Sequence, residues 1–78
     1  MKENILEISD LENIFRDVFG DDSLKITIQS TPVDVSGWDS LKHLQVIFAL
    51  EDHTGVRFSP EMIAEMNSVE RIMEMVNG

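Results

Sequence analysis

Apolar residues recur at helical spacing in three parts of the sequence, and this spacing constrains the fold more than any other feature. The first stripe falls at i, i+3, i+4 and i+7 and consists of Leu11, Ile14, Phe15 and Val18. Gly20 follows it as a typical helix terminator. A chain of 78 residues without cysteine has a small core and no disulfide framework. Helices with local contacts are therefore predicted.

The first stripe predicts a helix that ends at Phe19. Two starts for this helix are open. One capping-box pattern is Ser9 with Glu12, and a second begins at Asn4. The first residue of the helix is accordingly predicted between positions 5 and 10.

Residues 21–38 form a long connection, and in one segment of it apolar and polar residues alternate as they do in a β-strand. The alternating segment runs from Leu24 to Ile28. No second strand-like run is present to pair with it, and an isolated strand leaves its backbone groups without hydrogen-bond partners. We therefore predict a loop here and an all-α fold.

A second helix is predicted to follow this loop and to end at Gly55. At about 100° per residue, Val46, Ile47 and Leu50 share one side of it and should face the core. His43 lies on the same side. We therefore expect a partly buried, hydrogen-bonded histidine there, rather than a catalytic base or a metal ligand.

A second apolar group lies closer to the polar side of the same helix. It consists of Leu41, Leu44 and Phe48. Exposed apolar groups rimmed by polar ones suggest a docking patch. Burial of Leu44 within the core is the alternative.

Two shorter helices are predicted after the second. Ser59 and Pro60 read as the cap and first residue of a short third helix. Asn67 or Ser68 then opens a fourth helix. Its stripe consists of Val69, Ile72, Met73 and Val76. Residues 1–78 are accordingly predicted to form one four-helix domain.

The charge balance excludes some classes of function. Fifteen acidic against six basic residues give a net charge of −9, which repels nucleic acid and attracts partners with basic patches. No apolar run approaches the roughly 18 residues of a membrane span, and no secretory pattern is present. A cytoplasmic monomer is the expectation. No metal-ligand spacing is present, so no metal is predicted.

The stretch from Gly37 to Leu41 contains the most informative residue. Gly37 permits unusual backbone conformations, and Asp39 and Ser40 are typical helix-opening types. Ser40 is therefore predicted to lie at a loop-to-helix junction with its hydroxyl exposed. Ordinary helix capping by Ser40 is the alternative interpretation.

Four segments together resemble the acyl carrier proteins. They are the motif Asp39-Ser40-Leu41, the terminator Gly20, the segment Ala49-Leu50-Glu51-Asp52 and the segment Phe58-Ser59-Pro60-Glu61. The resemblance runs from about residue 6 to residue 76. It implies a four-helix bundle whose long first loop is packed over the helices. The residues expected to anchor that loop are Leu24, Ile26, Val33, Val35 and Trp38.

The resemblance also implies a function and a set of site residues. Ser40 would carry a 4'-phosphopantetheine arm from coenzyme A, added by a phosphopantetheinyl transferase, and enzymes with basic docking patches would act on the acyl group. The chain would itself not be an enzyme. The implied docking residues are Leu41, Leu44, Gln45, Phe48, Glu51, Asp52 and Glu61. The implied acyl cleft, between the second and third helices, is lined by Ile47, Leu50, Phe58, Ile63, Met66 and Ile72.

Three positions depart from the pattern of many fatty-acid carriers. Lys42, Gln45 and Arg57 stand where acidic residues are common, which makes the docking face less negative. A fatty-acid, polyketide or other specialised acyl pathway is the expected setting, and the departures favour a specialised one. The alternatives are an aminoacyl carrier (D-alanyl or peptidyl) and a helical interaction module that is never modified.

Overall fold

The computed structural model describes residues 6–77, which form four helices joined by one long loop and two short ones. The helices are α1 (Ile8–Phe19), α2 (Ser40–Thr54), α3 (Pro60–Glu65) and α4 (Val69–Asn77). Within this part of the chain there is no β-strand. The predicted all-α fold, with its long first loop and short third helix, is confirmed.

Helix α1 begins at Ile8, inside the predicted range, but its cap differs from both predicted ones. Glu7 is the N-cap, and its backbone N–H donates to Oδ2 of Asp10 at 3.1 Å. The Ser9 pattern was wrong: Ser9 lies inside the helix, and the Glu12 carboxylate accepts instead from the backbone N–H of Ile26 at 3.0 Å. The Asn4 alternative lies outside the described residues.

The remaining helix ends follow local signals. Gly55 closes α2 in the left-handed conformation with φ 77°. Ser59 caps α3 by accepting from the backbone N–H of Met62 at 3.2 Å, and Pro60 is its first residue. At the start of α4, the hydroxyl of Ser68 accepts from Arg71 N–H at 3.2 Å. Ser68, the alternative to Asn67, is therefore the cap.

The core lies between α1, α2 and α4, and the long loop and α3 cover it. Phe15 is at its centre, with its ring 5.6 Å from that of Phe19 and 5.0 Å from the edge-on ring of Trp38. The buried apolar residues are Leu6, Leu11, Phe15, Ile26, Val35, Trp38, Val46, Ile47, Leu50, Phe58, Met66, Val69 and Ile72.

The long loop is held to α1 by polar contacts as well as by apolar burial. Arg16 Nε donates to the carbonyl of Leu24 at 2.7 Å, and Glu12 holds the N–H of Ile26. Of the five expected anchors, Ile26, Val35 and Trp38 are buried and Leu24 packs against the core. Val33 was predicted wrongly.

Val33 is 94% exposed because it lies in a turn that local hydrogen bonds shape. The hydroxyl of Thr31 accepts from Val33 N–H at 3.3 Å, and the Asp34 carboxylate accepts from Thr31 N–H at 3.2 Å. Apolar character alone did not identify the direction of this side chain. No helix within residues 6–77 is long and apolar enough to cross a membrane.

Candidate functional site

Ser40 is the first residue of α2, and its side chain is exposed. Within residues 6–77 its hydroxyl has no hydrogen-bond partner. Gly37 turns the chain before it with φ 87°, a conformation that favours glycine, and Asp39 N–H donates to the Gly37 carbonyl at 3.0 Å. The predicted junction therefore presents an unengaged hydroxyl to solvent.

Asp39 is the N-cap of α2, a role for which the sequence allowed either Asp39 or Ser40. Its Oδ1 accepts from the backbone N–H of Lys42 at 2.9 Å, and its carbonyl accepts from His43 N–H at 2.8 Å. These bonds satisfy donors of the first helical turn. The hydroxyl of Ser40 is therefore not used for helix capping.

Behind Ser40, a hydrogen-bonded chain of three residues joins the long loop, α2 and α3. The indole N–H of Trp38 donates to Nδ1 of His43 at 3.2 Å. Because indole is only a donor, the proton of His43 lies on Nε2, which donates to the carbonyl of Ile63 at 2.9 Å. The predicted half-buried, hydrogen-bonded His43 is confirmed.

A cavity of about 290 Å³ opens beside Ser40 and Asp39. Its walls are Pro32, Trp38, His43, Ala64 and Asn67. Sequence analysis did not assign Ala64 or Asn67 to the site. No local signal marks them, because they reach it only through the packing of α3 against α2.

The polar groups nearest to Ser40 in sequence are already occupied. Asp39 caps the helix, and both ring nitrogens of His43 are hydrogen bonded. Lys42 points towards α1: its Nζ is 3.4 Å from the carbonyl of Val18 and 5.8 Å from the centroid of the Phe19 ring. His43 therefore has no free ring nitrogen to take the proton of Ser40.

The residues predicted for docking lie along α2 and at the start of α3. Leu41, Leu44 and Phe48 are 63%, 40% and 57% exposed, which excludes the alternative that Leu44 is fully buried. Gln45, Asp52 and Glu61 are also exposed.

Glu51 differs from the other predicted docking residues. It is half-buried, and its Oε2 accepts from the backbone N–H of Phe58 at 2.9 Å. It therefore fixes the connection between α2 and α3. A depression beside it is lined by Phe48, Ala49, Glu51, Asp52 and Arg57.

The residues predicted to line an acyl cleft belong to the closed core or pack against it. Ile47, Leu50, Phe58, Met66 and Ile72 are buried, and Ile63 packs against this cluster. The structure therefore brings all six together.

No group of three or more His, Asp or Glu residues within residues 6–77 is placed to hold a metal ion. Sequence analysis had assigned none.

The comparisons with known proteins agree with this geometry. A family model described as "Phosphopantetheine attachment site" matches residues 9–76. A solved structure, the solution NMR structure of a holo acyl carrier protein from Geobacter metallireducens, is similar with a TM-score of 0.79 and 33% sequence identity. The match covers 88% of this chain and 79% of that one. A search of curated proteins gave no match.

A four-helix fold with a matching attachment-site model defines a carrier protein with a covalent prosthetic arm. The chain belongs to the acyl carrier protein family, and its cofactor is covalently attached 4'-phosphopantetheine. The residues present fit such a group. Ser40 offers an unengaged oxygen, and the cavity beside it leaves room for the first atoms of an arm.

Proposed function

We propose that the chain carries acyl intermediates on a 4'-phosphopantetheine arm attached to Ser40, in a fatty-acid, polyketide or other specialised acyl pathway. The observation that supports this most directly is the exposed hydroxyl of Ser40, left free because Asp39 caps the helix. The terminal thiol of the arm supplies the chemistry, since it holds an acyl group as a thioester.

The attachment step needs a separate enzyme. The oxygen of Ser40 forms a bond to the β-phosphorus of coenzyme A, the pyrophosphate bond breaks, and adenosine 3',5'-bisphosphate leaves. In this proposal the Ser40 proton goes to a base on a phosphopantetheinyl transferase, since both ring nitrogens of His43 are engaged within the chain. The chain is accordingly a substrate and then a shuttle, not a catalyst.

Partner enzymes dock on the exposed side of α2 in this proposal. Leu41, Leu44 and Phe48 offer apolar contact, and the net charge of −9 steers basic patches towards the chain. The polar rim consists of Gln45, Glu51, Asp52 and Glu61. Lys42 adds little positive charge to this side, because its ammonium lies against α1.

Intact mass spectrometry tests the attachment site. The chain is incubated with coenzyme A, magnesium and a broad-specificity phosphopantetheinyl transferase. The expected result is the mass increment of one 4'-phosphopantetheinyl group on the native chain and none on Ser40→Ala. Because the hydroxyl has no partner within residues 6–77, Ser40→Ala should keep the melting temperature of the native chain.

Ser36→Ala is the matched control, since Ser36 is an exposed serine of the preceding loop. It should accept the group as the native chain does. An increment that survives in Ser40→Ala would place the attachment elsewhere. No increment on the native chain would favour an unmodified helical interaction module.

A further inference from the structure

One face of α2 leads from the attachment residue into the core. Ser40, His43, Ile47 and Leu50 follow one another at spacings of three or four residues, so they lie in line on the helix. Ile47 and Leu50 are fully buried, whereas Ser40 is exposed. The direct route from Ser40 to the core along α2 therefore passes His43.

His43 is fixed in that position from two sides. Trp38 holds Nδ1 from the long loop, and the carbonyl of Ile63 holds Nε2 from α3. The Trp38 ring lies near the imidazole, with centroids 5.9 Å apart and planes inclined by 30°. Both rings line the cavity beside Ser40, and Trp38 also belongs to the buried core, so the two rings lie between the cavity and the core.

We propose that His43 is a gate that excludes short acyl groups from the space between α2 and α3. The inference rests on the proposed function, because it requires the arm at Ser40. Opening the gate leaves the indole N–H, the imidazole and the Ile63 carbonyl without their protein partners. The compensation is apolar burial, which grows with each methylene of the acyl chain. A short chain therefore leaves the gate closed.

The test compares acetyl and hexanoyl forms of the same chain. Each form is prepared from acetyl-coenzyme A or hexanoyl-coenzyme A with a broad-specificity transferase, and its loading is verified by intact mass. Melting temperatures are measured for both. ¹H–¹⁵N spectra report the amides of Ile47, Leu50 and Met66. Trp38 is the single tryptophan, so its indole N–H signal reports the gate without ambiguity.

In the native chain, we expect the two acyl forms to melt within about 1 °C of each other and to give the same core amide and indole signals. In His43→Ala, the hexanoyl form should melt about 5 °C above the acetyl form, a shift typical of modest added burial in a domain of this size. The core amide signals should move with it. The hexanoyl form of each variant is compared only with the acetyl form of the same variant, so a lower overall stability of the variant does not affect the result.

Two further variants separate gating from general weakening. His43→Gln should behave as the native chain, because its side-chain amide can donate to the Ile63 carbonyl. His53→Ala should also do so, since His53 is an exposed histidine at the end of the same helix.

Three outcomes overturn the gate. The first is that the hexanoyl form of the native chain melts above its acetyl form and its core amide signals move. The second is that the two forms of His43→Ala melt at the same temperature, and the third is that His53→Ala shows the same difference in melting temperature as His43→Ala. If the acyl arm attaches with the correct mass but one of these three outcomes is found, the gate is wrong and the proposed attachment at Ser40 stands. Failure to load defeats the proposed attachment and the gate together.

Discussion

Asp39 and Ser40 are adjacent residues with separate tasks. Asp39 binds the backbone of Lys42, and Ser40 binds nothing within residues 6–77. Both are helix-opening types in the sequence, so composition alone assigned the cap to neither. The hydrogen bond of Asp39 decides between them, because one cap suffices and the hydroxyl of Ser40 is then not needed for capping.

The structure lowers the pKa of Asp21. Its carboxylate accepts from the hydroxyl of Ser23 at 2.8 Å and from its backbone N–H at 3.0 Å, and these bonds hold the pKa of Asp21 below its usual 3.8. Arg16 lowers this pKa slightly further. Ser23→Ala should raise the pKa of Asp21 towards 3.8, as measured by NMR titration of its side-chain carboxyl.

The sign of the pH dependence follows from this direction. A carboxyl group whose pKa is lower in the folded state than in the unfolded state stabilises the fold at pH values above its unfolded-state pKa. This stabilisation is lost as the pH falls through its folded-state pKa. Ser23→Ala should therefore reduce stability slightly above about pH 4 and have less effect in stronger acid. Ser36→Ala is the control, and an equal change of the Asp21 pKa there would contradict the assignment.

Val33 and Glu51 illustrate which single-residue properties the sequence does not determine. Val33 is apolar and was expected to anchor the loop, yet a local turn directs it to solvent. Glu51 is acidic and stays a predicted docking residue, but the sequence did not reveal that its carboxylate also binds the backbone of Phe58. In both cases the outcome depends on neighbours that the pattern of polar and apolar residues does not reveal.

Helix ends could be predicted wherever the signal was local. Gly20, Gly55 and the pair Ser59-Pro60 end or begin helices as expected, because each acts through bonds to residues within one turn. The start of α1 differs. Its cap is Glu7, paired with Asp10, whereas the Glu12 carboxylate expected in the Ser9 capping box binds Ile26, a loop residue 14 positions away.

The capping of α2 by Asp39 gives a prediction for the whole helix. Asp39→Ala removes the acceptor for Lys42 N–H at the start of the element that presents Ser40. Loss of an N-cap costs about 1 kcal/mol, which lowers the melting temperature of a domain of this size by about 4–8 °C. Thermal unfolding followed by circular dichroism measures the change.

Asp39→Asn is the matched variant for this prediction. The amide oxygen of asparagine caps nearly as well as a carboxylate, so it should restore most of the lost stability. If both variants lose stability equally, the negative charge at the helix start, rather than the hydrogen bond, is what stabilises α2.

At the scale of the whole molecule, a few long-range hydrogen bonds connect segments that the helices do not. The N–H of Val69, the first residue of α4, donates to the carbonyl of Ser30 in the long loop at 3.0 Å. Asn77 binds Leu6 across a separation of 71 residues. No sequence pattern predicts such pairs, and the same holds for the contact of His43 with Ile63. The fold class could be predicted because helical periodicity is a local property of the sequence, whereas these long-range hydrogen bonds could not be predicted.

Asn77 carries the last prediction, because it joins the two ends of the described chain. Its Oδ1 accepts from Leu6 N–H at 2.8 Å, and its Nδ2 donates to the Leu6 carbonyl at 2.9 Å, which holds Leu6 at 2% exposure. Asn77→Ala removes both bonds and should lower the free energy of unfolding by about 1–3 kcal/mol. Urea unfolding measures this loss, and amide exchange at Leu6 should accelerate.

Asn77→Asp and Asn13→Ala complete the Asn77 experiment. Asn77→Asp keeps the acceptor for Leu6 N–H but places a carboxylate oxygen against the Leu6 carbonyl, so it should protect the Leu6 amide from exchange better than Asn77→Ala without restoring the native stability. Asn13 is an exposed asparagine of α1, and Asn13→Ala should leave the exchange of Leu6 unchanged. Unchanged exchange at Leu6 in Asn77→Ala would show that apolar packing of Leu6, and not this pair of bonds, holds the ends together.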